Sequence, residues 1–486
     1  MSPFERALSP MTRTARRCSG PFLVALTVGA GLVVAPSGPA AAAPTPIVCP
    51  ASGPWVGAWS APASDGALSP DGPPSPYFPP VDPSLVPNPE VDNSTVRSVI
   101  VPTRAGEVLR VDLSNEYGEA PVTFTSVSVG KQATGAGVSD PVPLLFGGQP
   151  TVTVPAGGEV VSDPMPYAFQ AFEALSISTF TPDDVASATR HWVARQRSYL
   201  TATGAGDKTL DTSGAAFGTT TTSRLFVTGM DTLAPGTGAV VTLGDSLTDG
   251  YQTGAPNPTG PSPELPAGLD ENVRWPDRLA RRINEQGLPL TVVNAGISGN
   301  RVGFDAAEGQ SGLINTSRGD SALTRLDRDV LSVPNVRTVV LFEGINDLGQ
   351  APGVTVDQLT QNYQTIIDTL HQRGIRVLQG TITPAGGHTG QGNYGTSATN
   401  DLRNQVNEWI RTSSPADGVV DFDNAVADPA NPSVLLPAYD DGDHLHLSAP
   451  GYQKLADTVA LGQLADNCGS GSSGSSDSAW GSVAWS

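Results

Sequence analysis

Hydrophobic positions fall into two textures along the chain. From Thr95 to about Thr232 they come as short β-branched-rich runs at 96–101, 108–113, 122–129, 151–154, 175–180 and 225–230. Gly, Pro, Asn and Asp punctuate these runs, and no amphipathic helical period of useful length interrupts them. Short strands at turn-separated spacing predict a β-sandwich or jelly roll. The texture changes near 233–238, where apolar runs begin to alternate with helical patterns. Strands are predicted at 240–243, 290–293, 336–342, 375–382 and 419–422, and helices at 275–286, 321–331, 356–372, 398–411 and 449–464. Strands alternating with helices build an α/β, doubly wound parallel sheet, whose ligands bind at the carboxyl ends of the strands.

Both ends of the chain depart from these textures. Arg13, Arg16 and Arg17 precede an apolar run at 22–35, and small residues follow at Ala40–Ala43. That order predicts a signal peptide at 1–43, cut after Ala42 or Ala43. The run is too short to span a membrane, which takes about 20 apolar residues, and no other stretch is long and apolar enough. A secreted, extracellular protein is therefore expected, with the Arg16–Arg17 pair pointing weakly to twin-arginine export. Residues 44–94 form a Pro-rich lead-in with one apolar patch at 55–59. The expected order is then a β-sandwich domain at 95–235, an α/β domain at 236–467 and a Gly/Ser-rich tail at 468–486.

Composition narrows the partners. Of 486 residues, 38% are hydrophobic and 15% charged, ample for a core without metal or disulfide staples. The net charge of −20 argues against nucleic acid and anionic membrane surfaces, because phosphate binding needs a basic stripe. Three cysteines are present, and Cys18 leaves with the signal peptide. Cys49 and Cys468 remain, and in an oxidising compartment such a pair is expected to bond.

Four blocks carry chemistry, all in the α/β part. Gly244–Asp245–Ser246–Leu247 follows the first predicted strand, and Ile297–Ser298–Gly299–Asn300 the second. Gly344–Ile345–Asn346–Asp347 follows the third, and Asp443–His444–Leu445–His446 precedes the last helix. In one doubly wound sheet these loops open on the same edge. A Ser hydroxyl is a poor nucleophile until an imidazole takes its proton, and the imidazole needs a carboxylate on its other nitrogen. Two registers offer a carboxylate three residues ahead of a histidine: Asp443 with His446, and Asp441 with His444. Donors for a tetrahedral oxyanion are the backbone N–H groups of Ser246 and Gly299 and the Asn346 amide.

These blocks resemble the GDSL esterases and lipases, also called SGNH hydrolases. Ser246, Gly299, Asn346 and His446 match the four residues that name the family, and Gly451–Tyr452 follows His446 as it does there. The resemblance covers roughly 238–466, and 55–235 is similar to the β-rich N-terminal half of secreted actinobacterial members. It implies an esterase with Ser246, His446 and Asp443 as catalytic triad, an oxyanion hole of Ser246, Gly299 and Asn346, and no cofactor. It also favours His446 over His444.

Other residues have two readings. Trp275, Asn300 and His388 are candidates for substrate binding, against roles in helix packing, turn support and a surface loop. Asp245 is expected to brace the serine loop, and His191 and His371 to be structural or surface residues. A metal centre of Asp441, Asp443, His444 and His446 is the minor alternative to the triad. The expected protein is a monomeric secreted serine esterase acting on a small-molecule, lipid or acetylated-glycan ester. The competing class is a carbohydrate-binding or cell-surface module with a vestigial hydrolase domain.

Overall fold

The structure is a computed structural model that describes residues 53–66, 90–251, 268–306, 318–350, 354–390 and 392–464. The expected signal peptide at 1–43, Cys49, Cys468 and the expected 468–486 tail lie outside the described residues.

The N-terminal part is built of antiparallel strands. One sheet runs in the order Trp55–Ser60, Val227–Leu233, Gly106–Ser114, Met165–Phe169, with Glu159–Val161 also pairing Gly106–Ser114. A six-stranded sheet runs Thr219–Thr221, Ser198–Leu200, Ser94–Ile100, Leu175–Thr181, Ser126–Gln132, Val138–Pro143. Alternate residues of both sheets, among them Leu109, Val111, Met230, Val96, Val129 and Ile177, meet in one apolar core. The 55–59 patch, read above as part of an irregular lead-in, is thus a sheet strand. Its partner lies some 170 residues downstream, at Val227–Leu233, beyond the reach of any local pattern.

From Gly238 onward the chain winds a parallel sheet in the order Leu290–Gly296, Gly238–Gly244, Val336–Phe342, Arg376–Gly380, Gly418–Val420. In this order the second strand flanks the first on one side and the third on the other. The first and third strands therefore bound the switch point where ligands bind in such sheets. The register is level there, since Gly244 aligns with Gly296 on one side and Phe342 on the other.

The helices follow the predicted periods. Val356–Gln372 buries Leu359, Tyr363, Ile366, Ile367 and Leu370, a stripe at helical spacing, and opens with a capping box of Thr355 and Gln358. The helix expected over 321–331 is instead a set of turns ending in a π-helical segment, Asp327–Leu331. The expected closing helix is two, Ala449–Thr458 and Leu461–Leu464.

The two parts touch along Leu290–Gly296, an end strand of the parallel sheet. Thr103 Oγ1 donates to Val292 O (3.0 Å) and accepts from Val292 N (3.2 Å), and Ser60 Oγ donates to Asn294 O (2.9 Å). Thr291 Oγ1 in turn donates to Gly57 O at 2.6 Å.

Candidate active site

Ser246 opens a one-turn helix, Ser246–Asp249, directly after the first parallel strand. Asp245 caps that turn, its Oδ1 accepting from Leu247 N at 2.9 Å. Burial, with the nearby Asp347 charge adding to it, pushes the Asp245 carboxyl up to about 7. The next turn, 297–300, leaves the neighbouring strand and carries Gly299 at φ +81°. A Cβ at Gly299 would lie 2.8 Å from Arg318 Cγ, so both the backbone and the space call for glycine. The helix Ile345–Gly349 follows the third strand and presents Asn346. It is entered through Gly344 at φ +128°, where a Cβ would meet the Tyr363 hydroxyl at 2.2 Å.

The last block reaches Ser246 from the far end of the chain. Ser246 Oγ lies 2.9 Å from His446 Nε2, and His446 Nδ1 lies 2.7 Å from Asp443 Oδ2. Asp443 Oδ1 accepts the backbone N–H groups of Leu445 (2.9 Å) and His446 (2.8 Å). Burial opposes the Asp443 charge, but the His446 hydrogen bond and charge and these two N–H groups outweigh it. They hold the carboxyl well below its ordinary range. An ionised Asp443 can only accept, so Nδ1 carries the imidazole proton and Nε2 is left to accept from the Ser246 hydroxyl. The Tyr251 ring lies 4.8 Å from the imidazole, and Tyr452 anchors Tyr251 through its carbonyl at 2.9 Å.

The other register goes elsewhere. His444, at φ +65° with half its side chain exposed, bonds Asp440 Oδ2 at 2.5 Å rather than Asp441. Among the described residues no group of three or more His, Cys, Asp or Glu side chains is placed to hold a metal ion.

The Asn346 amide is clamped. Nδ2 donates to Asn300 O at 2.9 Å, while Oδ1 accepts from the Tyr394 hydroxyl at 2.7 Å and Gln350 Nε2 at 2.6 Å. The two acceptor contacts fix which end of the amide faces the 299–300 turn. Tyr394 also meets His388 edge-on at 5.3 Å, and His388 Nδ1 lies 2.7 Å from Asp443 O. His388 therefore stands beside the backbone of Asp443. Tyr394 and Gln350 were not among the sequence candidates, and the loop 383–395 carried only the His388 signal.

Two substrate-binding expectations are corrected. Trp275 is wholly buried against Phe422, with its indole N–H on Thr248 at 3.4 Å, so it offers no face to a ligand. Asn300 spends its side chain on the turn. Nδ2 donates to Arg318 O (2.6 Å) and Asp320 O (2.8 Å), and Oδ1 accepts from Arg325 Nε (2.9 Å). Both residues are buried because the loops they serve must be held from behind.

Residues 242–454 match the family model of the GDSL-like Lipase/Acylhydrolase family. No curated protein matches the chain. Among solved structures, the carbohydrate acetylesterase Est24 from Sinorhizobium meliloti is similar at 16% identity, over 45% of this chain and 94% of that one, with a TM-score of 0.33. The aryl esterase of M. smegmatis is similar at 17% identity, over 45% and 95%, with a TM-score of 0.34. A lipase/acylhydrolase from Enterococcus faecalis follows at 21% identity, over 46% and 92%, with a TM-score of 0.31.

Proposed function

Residues 242–454 are a GDSL-like lipase/acylhydrolase domain, and on that premise we propose that the protein is a serine esterase acting through an acyl-enzyme. The observation that carries the reading is the continuous chain from Ser246 Oγ to His446 (2.9 Å) to Asp443 (2.7 Å) at a sheet switch point. His446 Nε2 takes the Ser246 proton as Oγ attacks the ester carbonyl carbon. The oxyanion is received by the N–H groups of Ser246 and Gly299 and by Asn346 Nδ2. The intermediate collapses, the alcohol leaves with the proton from His446, and the acyl group stays on Ser246. Water then attacks, giving its proton to His446, and as the acyl–Oγ bond breaks His446 returns that proton to Ser246 Oγ and the acid is released.

The substrates in this reading are short-acyl or acetyl esters, acetylated carbohydrate among them. The protein acts outside the cell after loss of residues 1–43, with Cys49 and Cys468 bonded, and as a monomer. The vestigial-module alternative is not favoured, because no member of the set is missing and Ser246, His446 and Asp443 are in hydrogen-bond contact.

The test is turnover of p-nitrophenyl esters together with fluorophosphonate labelling. Label should map to Ser246 and vanish in Ser246→Ala. His446→Ala should lose on the order of 10²–10⁴ in kcat while His444→Ala stays near wild type. Label on another serine, or the reverse histidine order, overturns the assignment.

A further inference from the structure

One histidine of the antiparallel part reaches the nucleophile's own turn. His191 ends the short strand Thr189–His191, is 4% exposed, and lies 58 residues before Asp249. Its Nε2 stands 3.0 Å from Asp249 Oδ1, and the Asp249 side chain is 2% exposed. The other carboxylate oxygen, Oδ2, accepts from Ser298 N at 3.0 Å and from Ser298 Oγ at 2.6 Å. Asp249 closes the turn that Ser246 opens, its N–H bonding Asp245 O at 2.9 Å. Ser298 immediately precedes Gly299. One carboxylate thus joins the serine turn to the glycine turn, and His191 holds it from outside the parallel sheet.

The ring's protonation follows from its neighbours. Nδ1 lies 2.8 Å from Pro62 O, and Nε2 faces Val193 O at 3.2 Å as well as Asp249. These are acceptors at both nitrogens, which calls for an imidazolium. Burial and the Arg224 charge oppose that charge, while Asp249 and the Pro62 carbonyl favour it and leave the ring above its ordinary range. The clasp sits in the wall of a crevice between the two parts, lined also by Trp59, Arg224 and Arg274. Without His191, the buried Asp249 carboxylate would lose its ion pair at 3.0 Å and keep the Arg274 and Arg195 charges near it, and taking away the hydrogen-bonded partner of a buried charge is costly.

We propose that His191 is a positioning residue for the reaction: through Asp249 it fixes the Ser246 nucleophile and the Gly299 oxyanion donor relative to each other. The proposal rests on the esterase reading above and gives the antiparallel part a role in that chemistry. Attack requires both groups in register, and a 1 Å misplacement from a remote change costs about 10²-fold.

The experiment uses the full chain. His191→Phe keeps the bulk and removes both donors, and His191→Gln keeps one N–H where Nε2 stood. Turnover of p-nitrophenyl acetate should fall about 10²-fold in kcat for His191→Phe, with KM within about threefold and fluorophosphonate labelling of Ser246 slowed in step. His191→Gln should recover to within about tenfold of wild type, a rescue that a bulk packing role would not give. A folded His191→Phe with near wild-type kcat overturns the proposal. Should that variant not fold, Asp249→Asn decides, with wild-type kcat again overturning it. Nitrogen-15 spectra of the His191 ring supply an arm independent of activity: both nitrogens should carry protons at neutral pH, and a single neutral tautomer counts against the clasp. Wild-type protein inert to esters and to the fluorophosphonate would instead sink the esterase reading, whatever the ring spectrum shows.

Discussion

Tyr394 illustrates what a single hydroxyl does at this site. It donates to Asn346 Oδ1 at 2.7 Å and, with Gln350, sets the amide so that Nδ2 points to the 299–300 turn. Tyr394→Phe removes one of two restraints and leaves the ring against His388. Its kcat should fall roughly tenfold, less than the 10²–10³ expected for Asn346→Ala, which under the proposed mechanism loses an oxyanion donor outright. The double variant should be no worse than Asn346→Ala alone, because Tyr394 acts through Asn346. Additive losses would show that the hydroxyl has another task. Ser246, Gly299, Asn346 and His446 were legible in the sequence because each stands in a short block just after a strand or before a helix. Tyr394 and His191 were not. Their partners lie 48 and 58 residues away, and nothing local marks a tyrosine or histidine that serves another loop.

Among elements, the turns that carry the site are tied from behind by Arg325. It is wholly buried and donates to Gly244 O (3.1 Å), Ala295 O (2.7 Å) and Asn300 Oδ1 (2.9 Å), with Asp329 Oδ2 at 3.2 Å. The carbonyls mark the ends of the first two parallel strands, so one guanidinium sets the level of two site loops. Arg325→Met should destabilise the fold by about 3–5 kcal/mol, since it leaves two strand-end carbonyls and Asn300 Oδ1 without this donor at about 1–3 kcal/mol each, while Asp329 keeps its pair with Arg328. Urea unfolding measures this, and a loss under 1 kcal/mol would contradict the role. The helix misread at 321–331 has the same source. Arg325 and Asp329 are polar in any hydropathy pattern, yet both are turned inward. The long helices were legible because their stripes are apolar and their caps local, as at Thr355 and Ser448. The strands shorter than four residues, such as Thr189–His191, carry too few positions for an alternation to show.

At the scale of the molecule, buried acids set the response to pH. Burial raises Asp245 to about 7 and Asp347 to about 6, and places Glu343 well above its ordinary range. A carboxyl raised by folding binds its proton more tightly in the folded chain, so stability falls as pH climbs from about 4 to about 7. His191, also raised, adds to the loss as pH rises through its folded pKa. Asp443 works the other way: its contribution is present above its ordinary pKa and fades as acid protonates it. With a net charge of −20 repelling itself at neutral pH, the melting temperature should be higher at pH 5 than at pH 8. Asp245→Asn can keep the bond to Leu247 N and should shrink that difference. A melting temperature that is flat or rises over this range contradicts the assignment.

The contacts along Leu290–Gly296 decide whether the parallel-sheet half can be separated from the rest. Thr103 and Ser60 occupy Val292 N and O and Asn294 O, which a strand at the end of a sheet would otherwise offer to any extended chain. This strand is also buried along its whole length. A fragment of residues 236–464 would bare a flat apolar edge with ready hydrogen-bonding groups, the template on which β-proteins self-associate. Expressed alone, it should elute as oligomers or precipitate, and light scattering would register this even if single copies folded. The antiparallel half is then a built-in guard against fibre-like pairing, and domain-swapping or truncation designs on this scaffold must carry Trp55–Ser60 and Thr103 with them.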